Sequence, residues 1–494
     1  METKMIFKRF TAMLLVALMI ILSFSGCEEN YKEAFIYIEF DRTAEILDPQ
    51  LATTTEELTV CRSVFDTLLR YDGFGKIVPS AAESYSKDGL VYTFKLKKDG
   101  KWTDGTPLTA DDFLYGIERA VSPETSAPYA NSLFSIKGAE EIYGGKAELS
   151  SLGVTAVDEH TLKIELKRDD PEFLKVLTSA ITMPCNRKYF EGCMGKYGLT
   201  LDTTPSCGSY YIKKWTSNEK FLIRLAKNLE FTGDFEANSM RIYYTCGEKD
   251  TLGMLENENT DLMYISTEDY DKVAAAGFEM VSTKDTCYAL FINGDLDEEV
   301  RKALLTSVDH SGFKDKLPST HSVADTIYPS IVGAEGAKKV TEYIKYAPEE
   351  AAKLYSELIK KGTDLSGITI KYPSDSAAAA VAKSVAAQWQ QNLSLFINIE
   401  ELSPAAATSA YNFGSYDILI APFTATTGTI SAYHAELGFS DTDIAKAEKA
   451  LYEELHCYPL YFTSTNIASI HTVDNLKSCL WGGILDAAML IKKQ

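Results

Sequence analysis

Two hydrophobic periods divide the chain. Phe35-Ile36-Tyr37-Ile38 reads as a first strand. From Val91 to Leu96 the pattern alternates, with Tyr92, Phe94 and Leu96 on one face and Thr93 and Lys95 on the other, which predicts a half-buried strand. The turn dipeptides Asp99-Gly100 and Asp104-Gly105 follow. Thr109-Ala110-Asp111-Asp112 then has the form of a capping box ahead of Phe113, Ile117 and Val121 at helical spacing. Alternation returns between Thr155 and Leu166 through Val157, Leu162 and Ile164. Further on, Pro348-Glu349-Glu350 opens a helix, Leu354 and Leu358 form its apolar stripe, and Lys360-Lys361-Gly362 ends it. A strand from Ile368 to Tyr372, an Ala-rich helix from Ala377 to Asn392 and a strand at Phe396–Ile399 come next. Tyr416 to Ala421 is a nearly all-apolar run suited to a strand buried on both faces. Interleaved strands and helices imply an α/β fold. No repeat or Pro/Ser-rich linker marks a domain boundary in the composition.

The N-terminus follows neither period. Lys4, Lys8 and Arg9 precede an apolar run of 11 residues, Ala12 to Leu22, and then Ser23-Phe24-Ser25-Gly26-Cys27. A spanning helix needs about 20 apolar residues, so the run fits an export signal over residues 1–26. The Ser-Gly-Cys ending resembles a bacterial lipobox, which implies diacylation of Cys27 and a tether over residues 27–34.

The chain has 494 residues, long enough for two or three domains. Its 49 Lys+Arg stand against 70 Asp+Glu, a formal charge of −21, which excludes the basic footprint nucleic acid requires. Export makes disulfides admissible for the cysteines beyond Cys27. Cys185 and Cys193, around Asn186-Arg187-Lys188, form the most plausible local bridge.

Enzyme signatures are scarce. Neither G-x-S-x-G, H-E-x-x-H nor a Walker loop is present. Asp309-His310-Ser311 collects triad residue types, but a triad is assembled across space, so these residues read as the close of one helix and the cap of the next segment. The six His never sit at i, i+3 or i, i+4 on an apparent helix, and Glu453-Glu454-Leu455-His456-Cys457 reads as a charged turn. No metal site and no cofactor are expected.

The sharpest signal is an ordered series of segments. Leu47-Asp48-Pro49 is followed by Val64-Phe65-Asp66-Thr67-Leu68-Leu69, by Ile77-Val78-Pro79-Ser80-Ala81-Ala82-Glu83-Ser84 and by Lys101-Trp102-Thr103-Asp104-Gly105-Thr106-Pro107-Leu108-Thr109-Ala110-Asp111-Asp112-Phe113. The series resembles bacterial extracellular solute-binding proteins of family 5. Ser122-Pro123-Glu124-Thr125-Ser126-Ala127-Pro128-Tyr129-Ala130 and Val157-Asp158-Glu159-His160-Thr161-Leu162 narrow the likeness to the oligopeptide-binding branch.

That resemblance implies a two-lobed, periplasmic-binding-protein-like α/β clamshell of class II type with an additional α/β domain in its first lobe. Residues 31–70, 203–285 and 465–494 would compose lobe one, 71–202 the additional domain and 286–464 lobe two. The implied role is a lipid-anchored, extracytoplasmic receptor, expected as a monomer and not an enzyme. It would hand oligopeptides to the permease subunits of an ABC importer and meet the membrane only through its anchor. An extended peptide would lie between the lobes, its backbone pairing along Thr53, Thr54 and Thr55, with Tyr129 and Phe423 lining pockets. Thr426 stands where the family places the acid that receives the peptide ammonium. Recognition of a free amine is therefore weakened or has passed to another acid. Three alternatives stay open: a non-peptide or N-blocked ligand, a sensory or adhesive lipoprotein, and a peptidase.

Overall fold

The computed structural model describes residues 35–216, 221–233, 241–425, 428–439, 442–481 and 484–493. The export signal, the tether, Cys27 and Thr426 lie outside the described residues. Among the described residues eleven strands form one continuous sheet. From one edge its path runs Asn398–Leu402, Thr369–Pro373, Ile418–Thr424, Glu279–Ile292, Cys457–Ser469, Leu262–Tyr264, Phe35–Phe40, Arg241–Cys246, Phe221–Lys227 and Tyr210–Thr216. Ser322–Val323 pairs alongside Cys457–Ser469.

The two long antiparallel strands, Glu279–Ile292 and Cys457–Ser469, join two bodies. Most buried apolar residues fall into two large clusters, beside a small third one of Cys185, Cys193 and Tyr197. Of the large pair, one draws on Ile36 to Val273 and Ile467 to Leu490, the other on Cys287 to Phe462. The changeover lies inside both long strands, where their register slips between Lys284 and Thr286. A bulge adds an unpaired residue and bends the strand, and Asp285 is that residue. The molecule is thus a two-lobed α/β protein whose lobes share a pair of bent strands. Against the first lobe's core stands a four-stranded antiparallel sheet, ordered Ala82–Asp88, Val91–Leu96, Thr161–Glu165 and Val154–Asp158.

Local signals behave as their chemistry requires. The capping box at Thr109 forms, with Asp112 Oδ2 accepting from the Thr109 amide at 2.8 Å, and opens the helix Ala110–Val121. Its Phe113 and Ile117 are fully buried. A Cβ on Gly116 would stand 2.3 Å from the Met183 carbonyl oxygen, so only glycine lets that chain pass so close. The alternating stretch from Thr155 to Leu166 is a hairpin, its turn held by the His160 amide donating to Asp158 Oδ1 at 2.9 Å. The strand expected at Phe396–Ile399 is displaced to Asn398–Leu402, because its register is set by parallel pairing with Thr369–Pro373 and leaves Phe396 in solvent.

The helix Ala110–Val121 also delivers Arg119 to Asp48. Arg119 Nη1 and Nη2 donate to the two Asp48 carboxylate oxygens at 3.1 and 2.6 Å, and Nη1 donates to Gln50 Oε1 at 2.7 Å. The Phe190 ring covers the guanidinium at 4.0 Å. This cluster corrects one expectation: Cys185 and Cys193 are buried neighbours but both are free thiols. The Cys185 sulfur is turned to Arg119 Nη1 at 3.5 Å, whereas the Cys193 sulfur faces the Thr203 carbonyl at 4.0 Å. The two sulfurs have separate partners.

Candidate functional site

Where the long strands bend, the lobes enclose a cavity of about 450 Å³, within the range of small-ligand sites. The first lobe contributes Asp41, Arg42, Thr53 to Glu56 and Tyr264 to Thr267, and the second lobe Tyr288, His321, Asp375 and Thr424. The strands themselves supply Asp285, Thr286 and Thr463 to Asn466. Polar groups dominate these walls, and carboxylates outnumber cations. Asp41, Glu56, Asp285 and Asp375 face one guanidinium, Arg42, whose Nε lies 3.8 Å from Glu56 Oε2. His321 adds no charge at neutral pH, because burial pushes its pKa below the usual 6.5.

Thr53, Thr54 and Thr55 do line the cavity, but as a helix N-terminus. Thr54 caps the helix Thr55–Val64. The amides of Thr53 and Thr54 both donate to Glu57 Oε2, at 2.9 and 3.1 Å. Tyr129 reaches this rim, its hydroxyl donating to the Thr53 carbonyl at 3.2 Å. Strand addition needs free amides, and two of the three here already have a partner. Phe423 is also not where the resemblance puts it. It is 5 % exposed and packs against Phe291 and Tyr411 in the second lobe's core, at ring distances of 5.2 and 4.8 Å. The reason is the pleat: successive strand residues point to opposite faces, and in Ile418–Thr424 it is Thr424 that faces the cavity, its hydroxyl 2.9 Å from that of Thr286.

On the second lobe an aromatic wall stands beside a carboxylate. Tyr288 and Tyr461 stack at 4.6 Å and His321 stacks on Tyr461 at 5.6 Å. The Tyr461 hydroxyl donates to Asp375 Oδ1 at 3.4 Å, and the same oxygen caps the helix Ser376–Leu393 through the Ala378 amide at 2.8 Å. At the bend Asp285 Oδ2 accepts from the Thr465 amide at 3.1 Å and Oδ1 from the Thr286 hydroxyl at 2.9 Å. The Asp285 carbonyl accepts from the Ala425 amide at 2.7 Å. Burial pushes the Asp285 pKa up from 3.8 while these hydrogen bonds oppose it. Two further hydrogen bonds link the lobes outside the shared strands. Glu172 Oε2 accepts from the Ile430 amide at 2.7 Å, and the Ser319 hydroxyl donates to Asp271 Oδ1 at 2.7 Å.

Other chemistry-bearing motifs have structural employment. Asp309 caps the turn His310–Lys316 through the Ser311 amide at 2.9 Å, as the spacing implied. His456 Nδ1 approaches the Ile292 carbonyl at 3.4 Å. Among the described residues no group of three or more His, Cys, Asp or Glu is placed to hold a metal, and no helix is long and apolar enough to cross a membrane. Reading by motif missed Asp285, His321, Asp375 and Asn466. Asp285 lies in the polar stretch Ser282-Thr283-Lys284-Asp285-Thr286, just ahead of the apolar run from Cys287 to Ile292, so the sequence pattern did not set it apart.

A family model described as "Bacterial extracellular solute-binding proteins, family 5 Middle" matches residues 76–443. The periplasmic oligopeptide-binding protein OppA of Escherichia coli (strain K12) is 39% identical over 180 residues, which span 36% of this chain and 33% of that protein. The protein of the same name from Salmonella typhimurium is 27% identical over 390 residues, covering 75% of this chain and 71% of the relative. The solved structure described as "Listeria monocytogenes OppA bound to peptide" superposes with a TM-score of 0.75 at 21% identity, covering 94% of this chain and 99% of that one.

Proposed function

The chain belongs to the bacterial extracellular solute-binding proteins of family 5, a binding family and not an enzyme family, and on that premise we propose that it captures oligopeptides between its lobes for an ABC importer. One observation carries the reading: the cavity is walled by both lobes at the bend of their shared strands. A ligand there contacts both bodies at once, so closure and binding are coupled, as in hinge-closing receptors. The polar wall suits a peptide backbone, whose hydrogen bonds water can bridge. Thr53 to Thr55 offer hydroxyls at its edge, and Tyr129 steadies that edge.

The protein acts outside the cytoplasm, held by a diacylglycerol thioether on Cys27. One acyl chain holds a protein only marginally, whereas two give stable attachment. Its partners are the importer's permease subunits, and the receptor is taken as a monomer.

The test is incubation of the purified protein with a peptide library, followed by mass spectrometry of retained material. Intact retained peptides are expected. Cleaved peptides would replace the reading with a peptidase, and retention of none would replace it with another solute. For the anchor, Cys27→Ser should release an unprocessed or soluble form; unchanged membrane fractionation with the signal still removed would refute attachment through Cys27.

A further inference from the structure

The cavity wall carries, among the described residues, a hydrogen-bond acceptor that the protein leaves unsatisfied and a carboxylate without a counter-ion. Asn466 is 4 % exposed and lines the cavity, and its side-chain oxygen has no hydrogen-bond partner among the described residues. Its amide nitrogen donates to the Ser464 carbonyl at 3.0 Å, so the atom left over is the acceptor. A buried unpaired acceptor costs about 1–3 kcal/mol, and native proteins retain few of them. One residue earlier, the Thr465 amide holds Asp285 Oδ2, which places the Asp285 carboxylate beside the same strand segment. Asp285 is 8 % exposed, and no basic side chain pairs with it among the described residues. Buried charges are ordinarily paired. The Asp285 carboxyl and the Asn466 amide oxygen are therefore two buried acceptors lining one cavity, whose remaining charges are three carboxylates and one guanidinium.

We infer that Asp285 and Asn466 form a subsite for a protonated amine of the ligand. An ammonium brings three donors and a positive charge, which answers both deficits together: the carboxylate gains a counter-ion and the amide oxygen a donor. The position also explains how binding could be sensed, since both residues sit on the bent strands that join the lobes. This inference rests on the peptide reading and specifies which chemical group of the peptide the cavity selects. It assigns the ammonium to a residue of the long strands, away from position 426. The amine has two possible sources in a peptide, the chain N-terminus and a lysine side chain.

Calorimetry with four defined probes separates them: tri-alanine, N-acetyl-tri-alanine, tri-lysine and N-acetyl-tri-lysine. A charge-assisted hydrogen bond predicts a ten- to hundredfold preference for a peptide carrying the amine. Tri-alanine over its acetylated form identifies the N-terminus, and N-acetyl-tri-lysine over N-acetyl-tri-alanine identifies the side chain. Asp285→Asn should reduce that preference at least tenfold. Asn466→Ala, whose side chain makes one hydrogen bond to the protein, should reduce it in the same direction and keeps the test open if the Asp285 variant does not fold. Equal affinity for all four probes in the wild type overturns the subsite and leaves the peptide reading standing. So does an amine preference that both variants retain. Failure of every probe to bind overturns the peptide reading and this inference with it.

Discussion

Asp48 and Asp285 are both hidden from solvent, 2 % and 8 % exposed, yet their surroundings differ in kind. Asp48 receives a bidentate guanidinium from Arg119, and Gln50 and the Phe190 ring complete the enclosure. Asp285 receives a hydroxyl and a backbone amide but no cation. The first cluster lies between the segment after the opening strand and the helix Ala110–Val121, and it satisfies its own charge. The second lies in the cavity and leaves charge to be satisfied from outside. Burial alone therefore does not separate these two acids; the bidentate guanidinium on Asp48 and the cavity beside Asp285 do.

The strongest test of that contrast removes a counter-ion. Arg119→Met should destabilise the fold by about 3–5 kcal/mol, the usual consequence of leaving one member of a buried ion pair uncompensated. Adding Asp48→Asn should recover much of the loss, and denaturant unfolding of the single and double variants measures it. Additive losses would mean that the pair is not coupled.

Asp66 lies between the two cases. It is buried and accepts from the Ser80 hydroxyl and the Thr67 amide, and burial raises its pKa to about 6. Because the folded value exceeds the unfolded one of about 3.8, the folded state keeps a proton that the unfolded chain has lost. Stability from this group is therefore highest below about pH 4 and declines as pH rises to 6, by about 3 kcal/mol in all. Asp66→Asn should flatten that slope and stabilise the protein at pH 7. A pH series of unfolding free energies for both proteins that overlays would refute the assignment.

Asp285→Asn should have a smaller effect on the empty protein and the opposite sign to Arg119→Met. Its carboxyl is also raised above the ordinary 3.8 by burial, so ionisation opposes folding as pH rises above that value. Neutralising it should leave the ligand-free fold within about 1 kcal/mol of the wild type or somewhat more stable at pH 7. A loss above 2 kcal/mol would show that the carboxylate serves the bulge first and a ligand second. Tyr129→Phe, which removes an exposed hydrogen bond to the Thr53 carbonyl, should lower stability by about 0.5–1 kcal/mol. No measurable change would detach Tyr129 from the cavity rim.

Much of this arrangement was legible in the chain. The capping box at Thr109, the alternation from Val91 and the proline start of the helix Pro348–Lys360 all appear where their patterns put them. The ordered family segments implied two lobes and a cavity bordered by Thr53 to Thr55. The misses share a cause. Phe423 was assigned to the cavity by position in a motif, but the strand's pairing turned it into the core. The Cys185–Cys193 bridge was assigned by proximity along the chain, but Arg119, from a helix some 70 residues earlier, took the Cys185 sulfur as a neighbour.

What the sequence determined by itself was what depends on near neighbours: helix starts, strand alternation, turn positions and the order of landmarks. These follow from the backbone's two periods and from side chains that reach three or four residues along the chain. The cavity depends on a different kind of contact. Its wall gathers Arg42, Thr53, Asp285, His321, Asp375 and Asn466 from separate stretches of the chain, and which side chain faces inward is fixed by the pairing register of the long strands. A slip of one residue reverses every face, and the bulge at Asp285 is such a slip, local to the bend. Only the folded sheet decides where it falls, and with it which acid is left without a counter-ion.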